Sequence, residues 1–311
     1  MLAGKTPFKI IEKHIIKTGE GAEFEESTPS ELAKYHKNIM NQISEFLVSK
    51  GQIKKVGIAS FGPICLDRHN IHYGSIMNTP KKNWVMFNLI KGILGSWKDE
   101  IPAVTMDTDV NAVAKFEFSH GGHKAKKNLS YITVGTGIGV GLVINGDTVT
   151  GLTHPEGGHI PVTTHSKEFQ GFKGVCRFHD NCVEGFSTNV AIAKRFNMDI
   201  EELPKIKDDD IVWDIVAHYL AVLCMSITLT CSPEVIVIGG GVMNRLCLYP
   251  KIHAEFIKIM NGYISHDLLT EANVAKYIGK FKSYLFINNF LIVRSKFENE
   301  NGLYSALSLT Q

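Results

Sequence analysis

The chain has no excess of charge of either sign: 33 lysines and arginines stand against 31 acidic residues. That balance excludes the basic stripe of a nucleic-acid binder and the cationic amphipathic face of a membrane-surface helix. No apolar run reads as a bilayer span. The most apolar long stretch, "IVAHYLAVLCMSITLTC", is interrupted by His218, Ser226 and threonines and reads as a buried core helix, while "YLFINNFLIV" is too short. The first residues, "MLAGKTPFKIIEKHIIKTGEG", lack a sustained apolar segment ahead of a small-residue cleavage site, so the expected address is cytoplasmic. There is no Gly-x-x-x-x-Gly-Lys-Ser/Thr motif. "AGKT" at residues 3 to 6 has neither the first glycine nor a preceding strand, which argues against a P-loop enzyme. No Cys-x-x-Cys occurs, which removes the usual thiol redox motif. With only ten prolines and 44% hydrophobic residues, the composition carries no signature of disorder or collagen.

What is present fits a globular α/β protein of 311 residues, long enough for two lobes. Residues 30 to 49 carry Leu32, Ile39, Ile43, Phe46 and Leu47 at near-helical spacing behind a serine cap. "KKVGIASFGP" predicts a buried strand ending in a Gly-Pro turn, and "AVTMDTD" a second strand running into the helix "VNAVAKFEF". "LSYITVGTGIGVGLVINGDTVTG" predicts a hairpin lobe, two β-rich runs about a glycine turn with a second turn at Asn145-Gly146-Asp147. From residue 187 the pattern is mainly helical, interrupted by the strand-turn "EVIVIGGG". Residues 280 to 296, "KFKSYLFINNFLIVRSK", have clean periodicity of neither kind. Cys65, Cys224, Cys231 and Cys247 sit in apolar sequence and are expected to pack as small hydrophobes.

Several short constellations carry chemistry. In "GTGIG", Gly135, Gly137 and Gly139 lie between two strands, where missing side chains let backbone N–H groups approach phosphate oxygens and Thr136 adds a hydroxyl. The same glycines also suit an ordinary hairpin. Gly239, Gly240 and Gly241 end a strand and could admit a nucleotide or simply turn the chain. Asp109 stands where a strand meets a helix, as a helix cap or as a general base that takes the proton from an attacking hydroxyl. "HPEGGHI" puts Glu156 and His159 on one glycine-rich loop, and Glu184 follows Cys182. Such groups suit sugar hydroxyls, or else a solvated loop with capping acids. Cys176, His179 and Cys182 in "CRFHDNC" offer three ligands at zinc spacing. A tetrahedral structural site wants a fourth, His159 or His165.

Taken in order, "GIASFGP" (57 to 63), "TPKKNW" (79 to 84), "TDVNA" (108 to 112), "ITVGTGIGVG" (132 to 141), "HPEGGHI" (154 to 160), "CRFHDNCVEG" (176 to 185) and "VIGGGVM" (237 to 243) resemble the ROK family of sugar kinases, in its fructokinase branch. The resemblance implies a two-lobed, ribonuclease H-like ATPase fold of the actin and hexokinase type, with a structural zinc loop. It places the smaller lobe at residues 1–112 and the larger at 113–311. It implies that Asp109 deprotonates the primary hydroxyl of a hexose, D-fructose first, for attack on the γ-phosphate of Mg-ATP. Glu156, His159 and Glu184 would hold sugar hydroxyls, with Thr108 beside the base as in fructokinases. The "GTGIG" loop would cradle phosphates, and Gly239 to Gly241 would lie against the adenosine. His159 would complete the zinc set with Cys176, His179 and Cys182, leaving His165 second. The expected cofactors are ATP, Mg2+ and structural Zn2+. The expected partners are sugar and ATP, with no nucleic acid or membrane, in a homodimer. Two departures stand out: "MLAGKTPFKI" keeps at most a remnant of the family's first phosphate loop, so that loop reads as truncated, and residues 280 to 296 intrude before the last helix. The competing expectations are a catalytically impaired sugar-binding homologue with a regulatory role, and a kinase for glucose or mannose.

Overall fold

The computed structural model describes residues 10–19, 27–79, 81–95, 97, 100–267, 291–297 and 300–311. The remnant of the first phosphate loop at residues 1–9 and the stretch 280–290 lie outside the described residues. The chain divides into two compact units, Met1–Ala112 with Thr150–His154 and Gly302–Gln311, and Val113–Val149 with Pro155–Asn301.

The first unit opens with α1 (Pro29–Val48). Its cap is Thr28 rather than the expected Ser30. The Thr28 hydroxyl accepts the Glu31 N–H at 3.3 Å and the Glu31 carboxylate accepts the Thr28 N–H at 2.8 Å, so two orphan donors are satisfied reciprocally and Pro29 takes the first helical position, where it needs no donor. β1 (Lys55–Ser60) and β2 (Ala103–Thr108) pair in parallel, and their register ends on Ser60 opposite Thr108. α2 (Leu89–Leu94) precedes β2. Ile39, Met40, Ile58, Ile64, Ile76, Trp84, Ile93 and Met106 form the core of this unit.

The second unit is built on one mixed sheet of five strands in the order β5-β4-β3-β6-β7. These are β3 (Leu129–Val134), β4 (Ile138–Ile144), β5 (Asp147–Thr148), β6 (Val235–Gly239) and β7 (Ile292–Arg294). The glycine hairpin β3–β4 is therefore part of a larger sheet and not a lobe of its own, because β3 also pairs in parallel with β6 from Leu129–Val235 to Thr133–Gly239. All five residues of β6 are buried, which explains its unbroken apolar sequence: such a strand is covered on both faces.

Helix α3 (Asp109–His120) starts in the first unit and continues into the second from Val113. α4 (Val183–Ser187), α5 (Asn189–Phe196), α6 (Ile211–Cys231) and α7 (Leu248–Met260) belong to the second. α6 is long and apolar enough to cross a bilayer by length and composition, but 61% of its most apolar window is buried inside the protein, as a core helix requires. Of the four cysteines expected to pack as hydrophobes, Cys224 is fully buried while Cys65, Cys231 and Cys247 are only half-buried.

The described end of the aperiodic 280–296 segment resolves into structure. Ile292–Arg294 adds β7 to the sheet edge beside β6, and α8 (Asn301–Ser308) follows. The strand was invisible in the sequence because it is three residues long, too short to show alternation. Glu117 of α3 secures its far end. Fully buried, it accepts Ser295 Oγ at 2.6 Å and Lys296 N–H at 3.1 Å, and burial raises its pKa against these hydrogen bonds. A carboxyl group whose folded pKa is raised lends stability that is complete below its unfolded pKa and is lost as pH rises through the folded one. Glu117→Gln keeps the acceptor and removes the charge. Its melting temperature relative to wild type should therefore increase between pH 5 and pH 8 in differential scanning calorimetry, whereas Glu117→Ala should be lower than wild type throughout.

Candidate functional site

In the first unit the chemistry lies where β2 ends. Thr108, 1% exposed, turns its hydroxyl to the Asn111 N–H at 3.0 Å and is the N-cap of α3. Capping, one of the two roles open to Asp109 in the sequence, thus falls to its neighbour. Thr108 was also expected beside the sugar, and its hydroxyl oxygen is engaged in this cap. The buried Asp107 carboxylate accepts the Thr108 N–H at 2.7 Å and the Asn111 amide at 3.1 Å, fixing the turn from behind. Asp109 itself is solvent-exposed, and its carboxylate hydrogen bonds are local, from Val110 N–H at 2.8 Å and its own N–H. Protein crowded around the group still removes enough bulk water to raise its pKa above the ordinary aspartate value. The Val110 N–H and the Lys81 ammonium oppose that rise. A carboxylate held at a helix start by local backbone hydrogen bonds can accept a proton.

Two residues here escaped sequence reasoning. Lys81 was visible only as part of "TPKKNW", with no role attached. His154, 8% exposed, accepts the Ile64 N–H through Nε2 at 3.4 Å and packs on the turn after β1.

In the second unit, three motifs meet at Ile138, the first residue of β4. The glycine loop runs over residues 135–137 and is closed by Gly135 N–H to Gly137 C=O at 2.9 Å, while Asn189 N–H holds Gly135 C=O at 3.0 Å. Thr136 and Gly137 are exposed. Gly139, expected as the loop's third glycine, lies within β4 opposite Thr133. Glu184 accepts the Ile138 N–H through Oε2 at 2.9 Å and sets Oε1 4.0 Å from His159 Nε2. Gly158 packs against the other side of the same residue: a Cβ there would lie 2.1 Å from the Ile138 carbonyl oxygen. Only glycine lets the "HPEGGHI" loop lie flush on the strand. That contact seats the short 3-10 turn Gly157–His159, with Glu156 exposed at its start.

Gly239 to Gly241 end β6 beside the end of β3. Gly240 has φ +98° and packs on Val134, where a Cβ would come within 2.5 Å of the carbonyl oxygen, so this turn too admits only glycine. Both glycine turns thus stand at the carboxyl ends of parallel strands, where α/β sheets bind ligands.

Among the described residues, His159, Cys176, His179 and Cys182 bring their ligand atoms within 4.8 Å of one another. His159 Nδ1 is 3.7 Å from Cys176 Sγ and 3.8 Å from Cys182 Sγ, and His179 Nδ1 is 3.7 Å from Cys176 Sγ. Bonds of about 2.3 Å to sulfur and about 2.0 Å to nitrogen in a tetrahedron give S···N edges of about 3.5 Å, so the set fits zinc in geometry as well as in donor chemistry. Phe178 N–H and Gly185 N–H point at the two sulfurs at 3.4 Å each, which suits thiolates. Backbone pairing of Val162 with Asn181 and of Val183 with Ile160 lays the segment after His159 along the segment that carries Cys182. His165, the other candidate, is elsewhere: its N–H donates to Tyr219 Oη at 2.9 Å and its ring stands 4.8 Å from that of His218. A further cluster unseen in the sequence lies next to it. Buried Arg195 grips Glu168 through two hydrogen bonds of 2.8 Å, and Tyr219 donates to the same carboxylate at 2.9 Å.

The fold and these sites belong to a known class. The family model described as "ROK family" matches residues 10–281. The chain is 36% identical over 253 residues to a fructokinase of Lactococcus lactis subsp. cremoris, covering 81% of this chain and 83% of that protein. It is 33% identical over 262 residues to a fructokinase of Streptococcus mutans, covering 84% and 82%. A ROK hexokinase structure from Thermus thermophilus superposes with a TM-score of 0.64 at 18% identity, covering 89% of this chain and 86% of that one, which shows the shared fold. This chain belongs to the ROK family and has its mixed α/β, actin/hexokinase-type fold.

The Ile138–Gly158 contact yields a direct test. Gly158→Ala should cost about 1 to 3 kcal/mol, the usual range for overpacking against an unyielding neighbour, and lower the melting temperature by several degrees in a calorimetric scan.

Proposed function

We propose that this protein is an ATP-dependent sugar kinase that converts D-fructose to D-fructose 6-phosphate. The observation that carries the reading is the identity with fructokinases over four fifths of both chains, joined to a strand-end carboxylate, Asp109, that its neighbour relieves of capping. Asp109 accepts the proton of the primary hydroxyl as its oxygen attacks the γ-phosphorus of Mg-ATP. The bond from that phosphorus to the β–γ bridging oxygen breaks and ADP leaves with the electron pair. Glu156, His159 and Glu184 hold sugar hydroxyls. The loop at Gly135, Thr136 and Gly137 receives phosphate oxygens, and Gly239 to Gly241 lie against the nucleoside. The magnesium arrives with the nucleotide and neutralises charge on its phosphates.

His159, Cys176, His179 and Cys182 hold one zinc ion, which supplies structure and no chemistry. Its effect is to tie the loop carrying Glu156 to the segment carrying Glu184. His159 then serves twice, with Nδ1 toward the cysteine sulfurs and Nε2 toward Glu184.

An ADP-release assay across fructose, glucose and mannose tests the reaction. Fructose should give the highest kcat/KM, and Asp109→Ala should lower it about a hundredfold or more, the usual contribution of a general base. Equal rates in wild type and Asp109→Ala would refute the assignment. Elemental analysis of protein purified without chelator should find one zinc per chain, and Cys182→Ser should lose it together with thermal stability.

A further inference from the structure

Lys81 has no part in the reaction as described above, yet its setting is a built one. The 3-10 turn Lys82–Trp84 that follows it is held by buried Asn83 and Trp84. Asn83 donates its side-chain amide to Tyr35 Oη at 3.0 Å, and its backbone carbonyl meets His36 Nε2 at 2.6 Å. Trp84 packs edge-on against Tyr35 and Phe87. Upstream, the Lys81 N–H donates to the buried Thr79 hydroxyl at 3.4 Å. The lysine backbone is thereby pinned on both sides.

Its ammonium lies over the ring of Phe61, 3.8 Å from the centroid. Phe61 follows Ser60, the last paired residue of β1, and Asp109 follows Thr108, the last paired residue of β2, so both leave from the same end of one strand pair. A cation parked on the Phe61 ring is therefore held at the strand end from which the candidate base leaves, and the two charges act on each other. The other nearby carboxylate, Asp107, is turned to the Thr108 N–H and the Asn111 amide.

We propose that Lys81 is a positioning residue that keeps the Asp109 carboxylate charged and ready to accept the sugar proton, with Phe61 as the platform that holds the ammonium in place. This rests on the reading of Asp109 as general base. Crowding around Asp109 favours its neutral form, which cannot act as a base, and a fixed positive charge is the simplest counterweight. A mobile surface lysine would spend most of its time in water. The cation–π seat restricts that freedom and keeps the positive charge at this end of the strand pair.

The test is the pH dependence of kcat/KM for fructose, measured on the full-length chain between pH 4.5 and 8. The acid limb reports ionisation of the base. Lys81→Met should move that limb upward by about one pH unit, while Lys81→Arg should leave it close to wild type. Phe61→Leu should shift it in the same direction, and adding it to Lys81→Met should shift it no further. An acid limb for Lys81→Met that superimposes on wild type, or a loss of activity that is uniform across the pH range, would overturn the proposal. The carboxyl carbon-13 resonance of Asp109, assigned by its disappearance in Asp109→Asn, titrates without any turnover. If wild type phosphorylated no hexose, the kinase reading would fall, whereas an Asp109 titration unmoved by Lys81→Met would defeat the role of Lys81 alone.

Discussion

The carbonyl oxygen of Ile138 fills the space that any side chain at position 158 would need. Around that one close approach the functional parts of the second unit are assembled. The amide of the same residue is held by Glu184, so both polar groups of a single peptide neighbourhood, at the mouth of the glycine hairpin, face the segments they position. The strand that begins there is held by β3, which pairs with it from Val134–Ile138 to Leu129–Val143. Loop placement is thus inherited from sheet geometry, a far stiffer support than a solvated turn.

A similar economy governs the first unit. Four residues where β2 meets α3 divide the work: Thr108 caps the helix, Asp107 braces the cap from the buried side, Asn111 donates to both, and Asp109 is left with local backbone bonds. The cap also explains how a carboxylate at the first turn of a helix can keep its basicity. The helix N-terminus favours its charged form, and removal of bulk water favours its neutral form, leaving its proton affinity between two opposing influences.

Much of this was readable in the chain. The strand–helix–hairpin order, the glycine turns and the Cys-x2-His-x2-Cys triplet follow from local periodicity and spacing, and the structure places all of them. What escaped were groups whose meaning depends on a distant neighbour. Ser30 and Thr28 are equally good caps on paper, and the choice turns on Glu31 lying at the right offset for a capping box. β7 has three residues and no pattern of its own, and exists because β6 offers an open edge and Glu117 receives the chain beyond it. Arg195 and Glu168 stand far apart in sequence and reveal nothing until both are buried together.

The sequence by itself determined the donors and the permissive positions: which cysteines, histidines and carboxylates exist, and where glycine alone allows close approach. Tertiary structure decided between equals. His159 and His165 have the same chemistry, and His165 is the nearer of the two to Cys176 along the chain, yet backbone pairing of residues 160–162 with 181–183 carries His159 to the sulfurs, while His165 is drawn to Tyr219. Asp109 is separated from capping by one residue for a related reason, since the end of the strand register sets which side chain meets the first free helical amides. Spacing along a chain limits which groups can meet, but only the pairing of strands and the packing of loops select among them, because those contacts are made by residues remote in sequence.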